Sequence, residues 1–90
     1  MLPSTKIFEK LGFIRYDDSH FVIFEKKKEN ESFEQIKISR DTKLVQISSY
    51  IQEQDGYKVQ PMIVNEEILK TVISAIKELK HDDIEKGELK

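Results

Sequence analysis

The sequence predicts an α+β domain: a short N-terminal helix, a five-stranded antiparallel meander, and a long C-terminal amphipathic helix packed on one sheet face. Two observations lead to this fold class. Apolar residues recur at helical spacing near both ends of the chain, and between them five β-rich runs alternate with turn residues. The connections between these runs are shorter than the dozen or so residues that a parallel crossover needs, so antiparallel strands are predicted.

The segment PSTKIFEKLGF predicts the first helix, of about two turns. Ser4 or Thr5 is expected to cap its start, and Gly12 stands where a left-handed residue would end it. Its apolar face is formed by Ile7, Phe8 and Leu11.

Short polar segments predict the turns of the meander. In RYDDSHFVIF, aspartate and serine side chains can bond the local backbone, so Tyr16 to Phe21 is interpreted as a hairpin reversal. The segment KKKENES, residues 26–32, predicts a longer solvated loop. Asp55 and Gly56 predict a two-residue reversal with positive φ at both positions.

Alternation along the last three strands predicts one apolar and one polar sheet face. The apolar face is expected to hold Ile36, Ile38, Val45, Ile47, Ile51, Val59 and Ile63. The polar face is expected to hold Gln35 and the seven residues that we identify as partner-binding candidates: Lys37, Gln46, Ser48, Tyr50, Lys58, Gln60 and Met62. Tyrosine and methionine are enriched at protein interfaces, and the alternative is an ordinary solvated face of an antiparallel sheet. Pro61 predicts that the fifth strand lies at a sheet edge.

The second strand is apolar on both faces, because Phe21 and Ile23 alternate with Val22 and Phe24. One set is expected to join the core under the long helix. We favour the N-terminal helix as the cover of the other set, and the alternative is a second copy of the protein in a homodimer.

The last helix is predicted to begin after Asn65, whose side chain is expected to cap it, with Glu66 and Glu67 at the positive end of the helix dipole. Its apolar stripe consists of Ile68, Leu69, Val72, Ile73, Ile76 and Leu79. We place the single domain in residues 1–80 and expect a frayed or disordered tail over residues 81–90.

The totals indicate a cytoplasmic protein stabilised by packing. The chain of 90 residues has no cysteine, which excludes disulfides and thiolate metal sites. It shows no signal sequence and no apolar run of membrane-spanning length, so we expect no membrane contact. A net charge of −2 does not favour nucleic-acid binding.

No residue pattern in the chain predicts catalysis, and we expect a protein that is not an enzyme and uses no cofactor or metal. Its three glycines are too dispersed to form a phosphate loop. A metal site from Asp17, Asp18, His20 and His81 is conceivable, but the hairpin turn accounts for the first three. A further alternative is weak nucleic-acid binding by three lysines and an aromatic ring: Lys26, Lys27, Lys28 and Phe33.

Three segments follow one another along the chain: FEKLGF, a hairpin with an acidic turn, and the closing IVNEEILKTVISAIKEL. In this order of segments the chain resembles small uncharacterised proteins carried by phages and prophages of low-GC Gram-positive bacteria. Those proteins open with a similar KLGY or KLGF phrase and close with an EELKAI-like helix. Residues 67–70 match the closing phrase, whereas Thr71 and Val72 depart from it. The resemblance implies an αβ architecture and a phage context, and it carries no catalytic residues. We therefore expect an interaction or accessory protein that binds an unidentified protein, as a monomer or homodimer.

Overall fold

The predicted fold class is confirmed by the computed structural model, which describes residues 3–88 and the side chains of residues 3–80. The elements are α1 (Pro3–Lys10), β1 (Ile14–Asp17), β2 (Phe21–Lys27), β3 (Phe33–Ser39), β4 (Val45–Glu53), β5 (Gly56–Pro61) and α2 (Glu66–Glu88). The five strands form one antiparallel sheet in the order β1-β2-β3-β4-β5. Strand β5 lies at an edge of this sheet, as Pro61 predicted.

Helix α1 ends as predicted but begins differently. Gly12 has φ +97°, its N–H bonds the carbonyl of Glu9, and the N–H of Phe13 bonds the carbonyl of Phe8, which together form a Schellman motif. The predicted cap was wrong, because the helix already begins at Pro3. Ser4 and Thr5 are buried inside it and make tertiary contacts instead.

The predicted reversal between β1 and β2 is confirmed, since Asp17 pairs with Val22 across the hairpin. The β2–β3 loop is shorter than expected, because the strands extend to Lys27 and start again at Phe33. The β4–β5 turn is displaced by one residue from its predicted position. Glu53 pairs with Gly56, so the two turn residues are Gln54 and Asp55. Of the predicted pair Asp55 and Gly56, only Gly56 has a positive φ, +128°.

Helix α2 begins at Glu66, and the Asn65 side chain accepts a 2.9 Å hydrogen bond from the Ile68 N–H, so the predicted cap is confirmed. The stripe is narrower than predicted. Its buried line consists of Thr71, Val72, Ala75 and Leu79, while Leu69 and Ile73 are about half exposed. The predicted tail of residues 81–90 falls on positions whose side chains lie outside the described part, and it stays a prediction.

Both helices pack on the same side of the sheet, which we call the helix face. The Phe8 ring of α1 lies 4.2 Å from the Phe24 ring of β2 and 5.6 Å from that of Phe13. The core on this face consists of Phe8, Phe13, Val22, Phe24, Ile36, Ile38, Met62, Val72, Ala75 and Leu79. Helix α1 therefore covers the Phe24 side of β2, and our expectation that it covers the side opposite the long helix was wrong.

Strand β5 presents the opposite faces from those predicted. Tyr50 pairs with Val59, and side chains directly opposite each other share a face, so Val59 lies away from the helices. Met62 is 8% exposed and belongs to the core, whereas Ile63 is 93% exposed. A displacement of one residue moves every side chain of a strand to the other face. The prediction that Val59 and Ile63 face the core was therefore wrong.

Candidate interaction surface

The sheet side opposite the helices, which we call the open face, carries most of the aromatic side chains. Its strand residues follow from the pairing register: Ile14, Tyr16, Phe21, Ile23, Glu25, Lys27, Phe33, Gln35, Lys37, Ser39, Gln46, Ser48, Tyr50, Gln52, Tyr57, Val59 and Pro61. The chain has 3 tyrosines and 5 phenylalanines. All the tyrosines and two of the phenylalanines lie on this face, where neither described helix packs.

An aromatic cluster, defined as Phe33, Tyr50 and Tyr57, occupies one end of the open face. The rings of Phe33 and Tyr50 stack with centroids 4.6 Å apart, and Tyr57 meets Phe33 edge to face at 5.4 Å. Tyr57 and its neighbour Val59 on β5 are 49% and 54% exposed. A cavity of about 310 Å³ adjoins Phe33 and Tyr57. This end therefore offers ordered apolar groups with a concave margin.

The other end of the open face is also apolar. Lys37 Nζ lies 4.3 Å from the centroid of the Phe21 ring, so the cation rests on the aromatic face. Leu44, an exposed residue just before β4, lies with Phe21 and Lys37 around a cavity of about 320 Å³. Ile23 is buried between its cross-strand neighbours Tyr16 and Lys37.

A polar belt, defined as Glu25, Gln35, Gln46 and Ser48, separates the two apolar ends. The Gln35 amide donates to the Glu25 carboxylate at 3.4 Å, and the Gln46 amide donates to the Ser48 hydroxyl at 3.5 Å. Partial burial raises the pKa of Tyr16 above its ordinary value of 10.0, and a hydrogen bond with the Glu25 carboxylate raises it further. The belt thus carries amide and hydroxyl groups with a single charged side chain.

The predicted partner-binding residues divide between the two sheet faces. Four lie together on the open face: Lys37, Gln46, Ser48 and Tyr50. Lys58 and Gln60 lie on the helix face, since they pair with Ile51 and Ser49, and Met62 is buried in the core. The prediction that these seven residues share one surface was therefore wrong. Four of them lie on the open face, and the other three lie on the helix face or in the core beneath it.

Sequence reasoning identified Tyr50 but missed Phe33 and Tyr57, the other two rings of the aromatic cluster. Phe33 lies two and four residues before Gln35 and Lys37, so alternation was the signal that could have placed it on their face. Tyr57 and Val59 were missed for another reason, which is the one-residue displacement of β5.

The three lysines of the predicted nucleic-acid patch point in different directions. Lys26 lies on the helix face, with Nζ 5.9 Å from the centroid of the Phe13 ring. Lys28 forms an ion pair with Glu34 at 3.6 Å. Only Lys27 shares a face with Phe33, to which it is paired across the hairpin. The structure therefore places Lys27 and Lys28 beside a cavity that adjoins the Phe33 ring, and Lys26 on the opposite side of the sheet.

The two aspartates of the first turn have local partners. The Asp18 carboxylate accepts hydrogen bonds from the backbone N–H groups of His20 and Phe21, at 2.8 and 2.7 Å, which lower its pKa below the ordinary 3.8. Asp17 bonds the guanidinium groups of Arg15 and Arg40, at 2.9 and 2.6 Å. Arg15 is the main cause that lowers the Asp17 pKa. Among the described residues, no three His, Asp or Glu side chains are grouped as metal ligands.

No family model, curated protein or solved structure matches this chain. Within the described part of the chain, neither helix combines the length and apolar character needed to cross a bilayer.

Proposed function

We propose that this chain is a non-enzymatic, phage-encoded accessory protein that binds a protein partner through the open face of its sheet. The aromatic cluster carries the proposal. Aromatic residues are enriched at interfaces because each buries a large area with few rotatable bonds. Antiparallel sheets with one solvated face usually have polar residues there, whereas this face keeps Tyr57 and Val59 half exposed.

The charges near the aromatic cluster favour a protein partner over a nucleic acid. Glu31 lines the same cavity as Lys27, Lys28 and the two rings of Phe33 and Tyr57. A nucleic acid is held mainly by cations that neutralise its phosphates, and acidic groups at the same margin oppose this.

Capture of a partner by the tagged protein tests the proposal. Two neighbouring exposed residues of β5 give matched variants, since Val59 lies on the open face and Gln60 on the helix face. We expect Val59→Lys to abolish capture of a protein that the unmodified chain retains. The introduced lysine would place a charge in the interface with the partner, from which water is excluded. Gln60→Lys adds the same charge and is expected to leave capture unchanged.

Equal capture by both variants would contradict the open face as the binding surface. Retention of the chain on single-stranded DNA that falls steeply with salt would favour the nucleic-acid alternative instead. The phage context has its own test, which is whether the neighbouring genes encode phage proteins.

A further inference from the structure

We infer that the partner on the open face is a second copy of this chain, so that two sheets pack face to face in a symmetric dimer. The inference rests on the proposed function and names its partner. Its first support is that both described helices lie on the helix face. Phe21 and Phe33, on the other side of the sheet, are therefore left without a cover from these elements.

The polar belt is chemically complementary to itself. In a two-fold dimer the same patch occurs on both copies, so a belt of like charges would repel its own image. An amide group contains both donors and an acceptor, so Gln35 and Gln46 are able to bond their symmetry copies.

Few charged groups would have to leave water in this dimer. The charged members of the open face are Glu25, Lys27 and Lys37. Lys37 already rests on the Phe21 ring, and Glu25 already accepts a hydrogen bond from Gln35. Desolvation costs less for a polar group that keeps a partner inside the interface.

The size of the open face agrees with a dimer of this kind. Five strands about 4.8 Å apart, paired over about six residues at 3.3 Å each, give roughly 500 Å² per copy. Two facing copies would bury about 1,000 Å², which reaches the minimum for a biological interface and lies below the roughly 1,200–2,000 Å² of stable ones. The product is a closed assembly with the two sheets inside and the helices outside, which does not extend into filaments.

The mass of the purified, untagged protein in solution tests the inference directly. We expect light scattering after size exclusion, over a concentration series, to give a species of twice the 10.6 kDa chain mass. Val59→Lys is expected to shift dissociation to at least tenfold higher concentration, and Gln60→Lys to leave it unchanged. A monomer throughout the series, or equal dimerisation of both variants, would overturn the inference.

Crosslinking gives a second measurement that does not depend on a destabilising substitution. The chain has no cysteine, so a single introduced thiol reports on one face. Gln46→Cys places it on the open face and Lys58→Cys on the helix face, both at exposed positions. A short bifunctional maleimide is expected to join the first variant into dimers and not the second. Dimers from Lys58→Cys alone would overturn the inference.

The outcomes separate this inference from the proposed function. A purified chain that stays monomeric, but captures a different protein in a manner that Val59→Lys abolishes, would refute the second copy and leave the open face as a binding surface. Failure of Val59→Lys to alter either dimerisation or capture would refute both.

Discussion

At the scale of single residues, the hairpin between β1 and β2 is held by an ionic cluster. The Asp17 carboxylate lies between two guanidinium groups, and Arg15 also donates to the Thr5 hydroxyl of α1 at 2.8 Å. This cluster joins the first turn, the first helix and the turn after β3 in one place. The role of Asp17 is therefore structural: its carboxylate holds these three segments together.

The Asp17 cluster predicts how stability depends on pH. A carboxyl group whose pKa is lowered in the folded state stabilises that state above its unfolded pKa, and the contribution disappears as pH falls through the lowered value. We expect Asp17→Asn to reduce the free energy of unfolding by about 1 kcal/mol at pH 7, since the cluster is partly exposed. The difference from the unmodified protein should vanish as pH falls below 3.8.

Urea unfolding of both proteins at a series of pH values measures this difference. Asp41→Asn serves as the control, because it changes an exposed aspartate in the turn between β3 and β4. A difference between the unmodified protein and Asp17→Asn that stayed constant from pH 7 to pH 2 would contradict the ionic role.

The Phe8 side chain is the residue of α1 that joins the helix to the sheet. It is fully buried and contacts both Phe13 and Phe24. Truncation would leave a cavity between the helices and the sheet, so we expect Phe8→Ala to cost about 3–5 kcal/mol. Ile7→Ala, at the neighbouring and more exposed position, should cost about 1 kcal/mol or less. Chemical denaturation that gave the two variants equal midpoints would contradict this packing.

At the scale of elements, α2 has its start fixed by a local hydrogen bond. We expect Asn65→Ala to destabilise the protein by about 1 kcal/mol, because the Ile68 N–H loses its acceptor. Asn65→Asp keeps an acceptor at the same position and should be close to neutral. Thermal unfolding followed by circular dichroism compares the two, and equal losses would show that the cap does not stabilise the helix.

Strand β5 illustrates how far alternation predicts an element. The valine and tyrosine of this short run predicted a strand, and its proline predicted an edge position. They did not predict which sheet face each side chain occupies. The run VQPMIV, residues 59–64, has apolar side chains at both odd and even positions. Met62 and Val64 pack against the core, so the odd positions are left outside. The period of two fixes which residues share a face and leaves open which face is buried.

At the scale of the whole molecule, the proposed dimer predicts that stability depends on protein concentration. A dimer that forms only from folded chains is stabilised by mass action. We expect the midpoint of thermal unfolding to rise on the order of 3 °C for each tenfold increase in concentration. Val59→Lys should show this rise only at concentrations at least tenfold higher, whereas Gln60→Lys should behave like the unmodified chain. A constant midpoint for the unmodified protein would contradict the dimer.

The sequence by itself determined the type and order of the elements, the left-handed end of α1 and the cap of α2. These features depend on neighbours within about four residues, through hydrogen bonds such as that from Ile68 to Asn65 and through the positive φ that Gly12 accepts. They also include the hairpin at Asp18, whose side chain bonds the adjacent backbone.

Only the tertiary structure decided which face each helix covers and, with it, which residues form the candidate interaction surface. Phe8 reaches Phe24, Ser4 donates to Glu78, and Met62 enters the core, all across long separations in the chain. Because the second strand is apolar on both sides, local pattern gave no preference between them. Packing of both helices on one side left five aromatic residues on the other: Tyr16, Phe21, Phe33, Tyr50 and Tyr57.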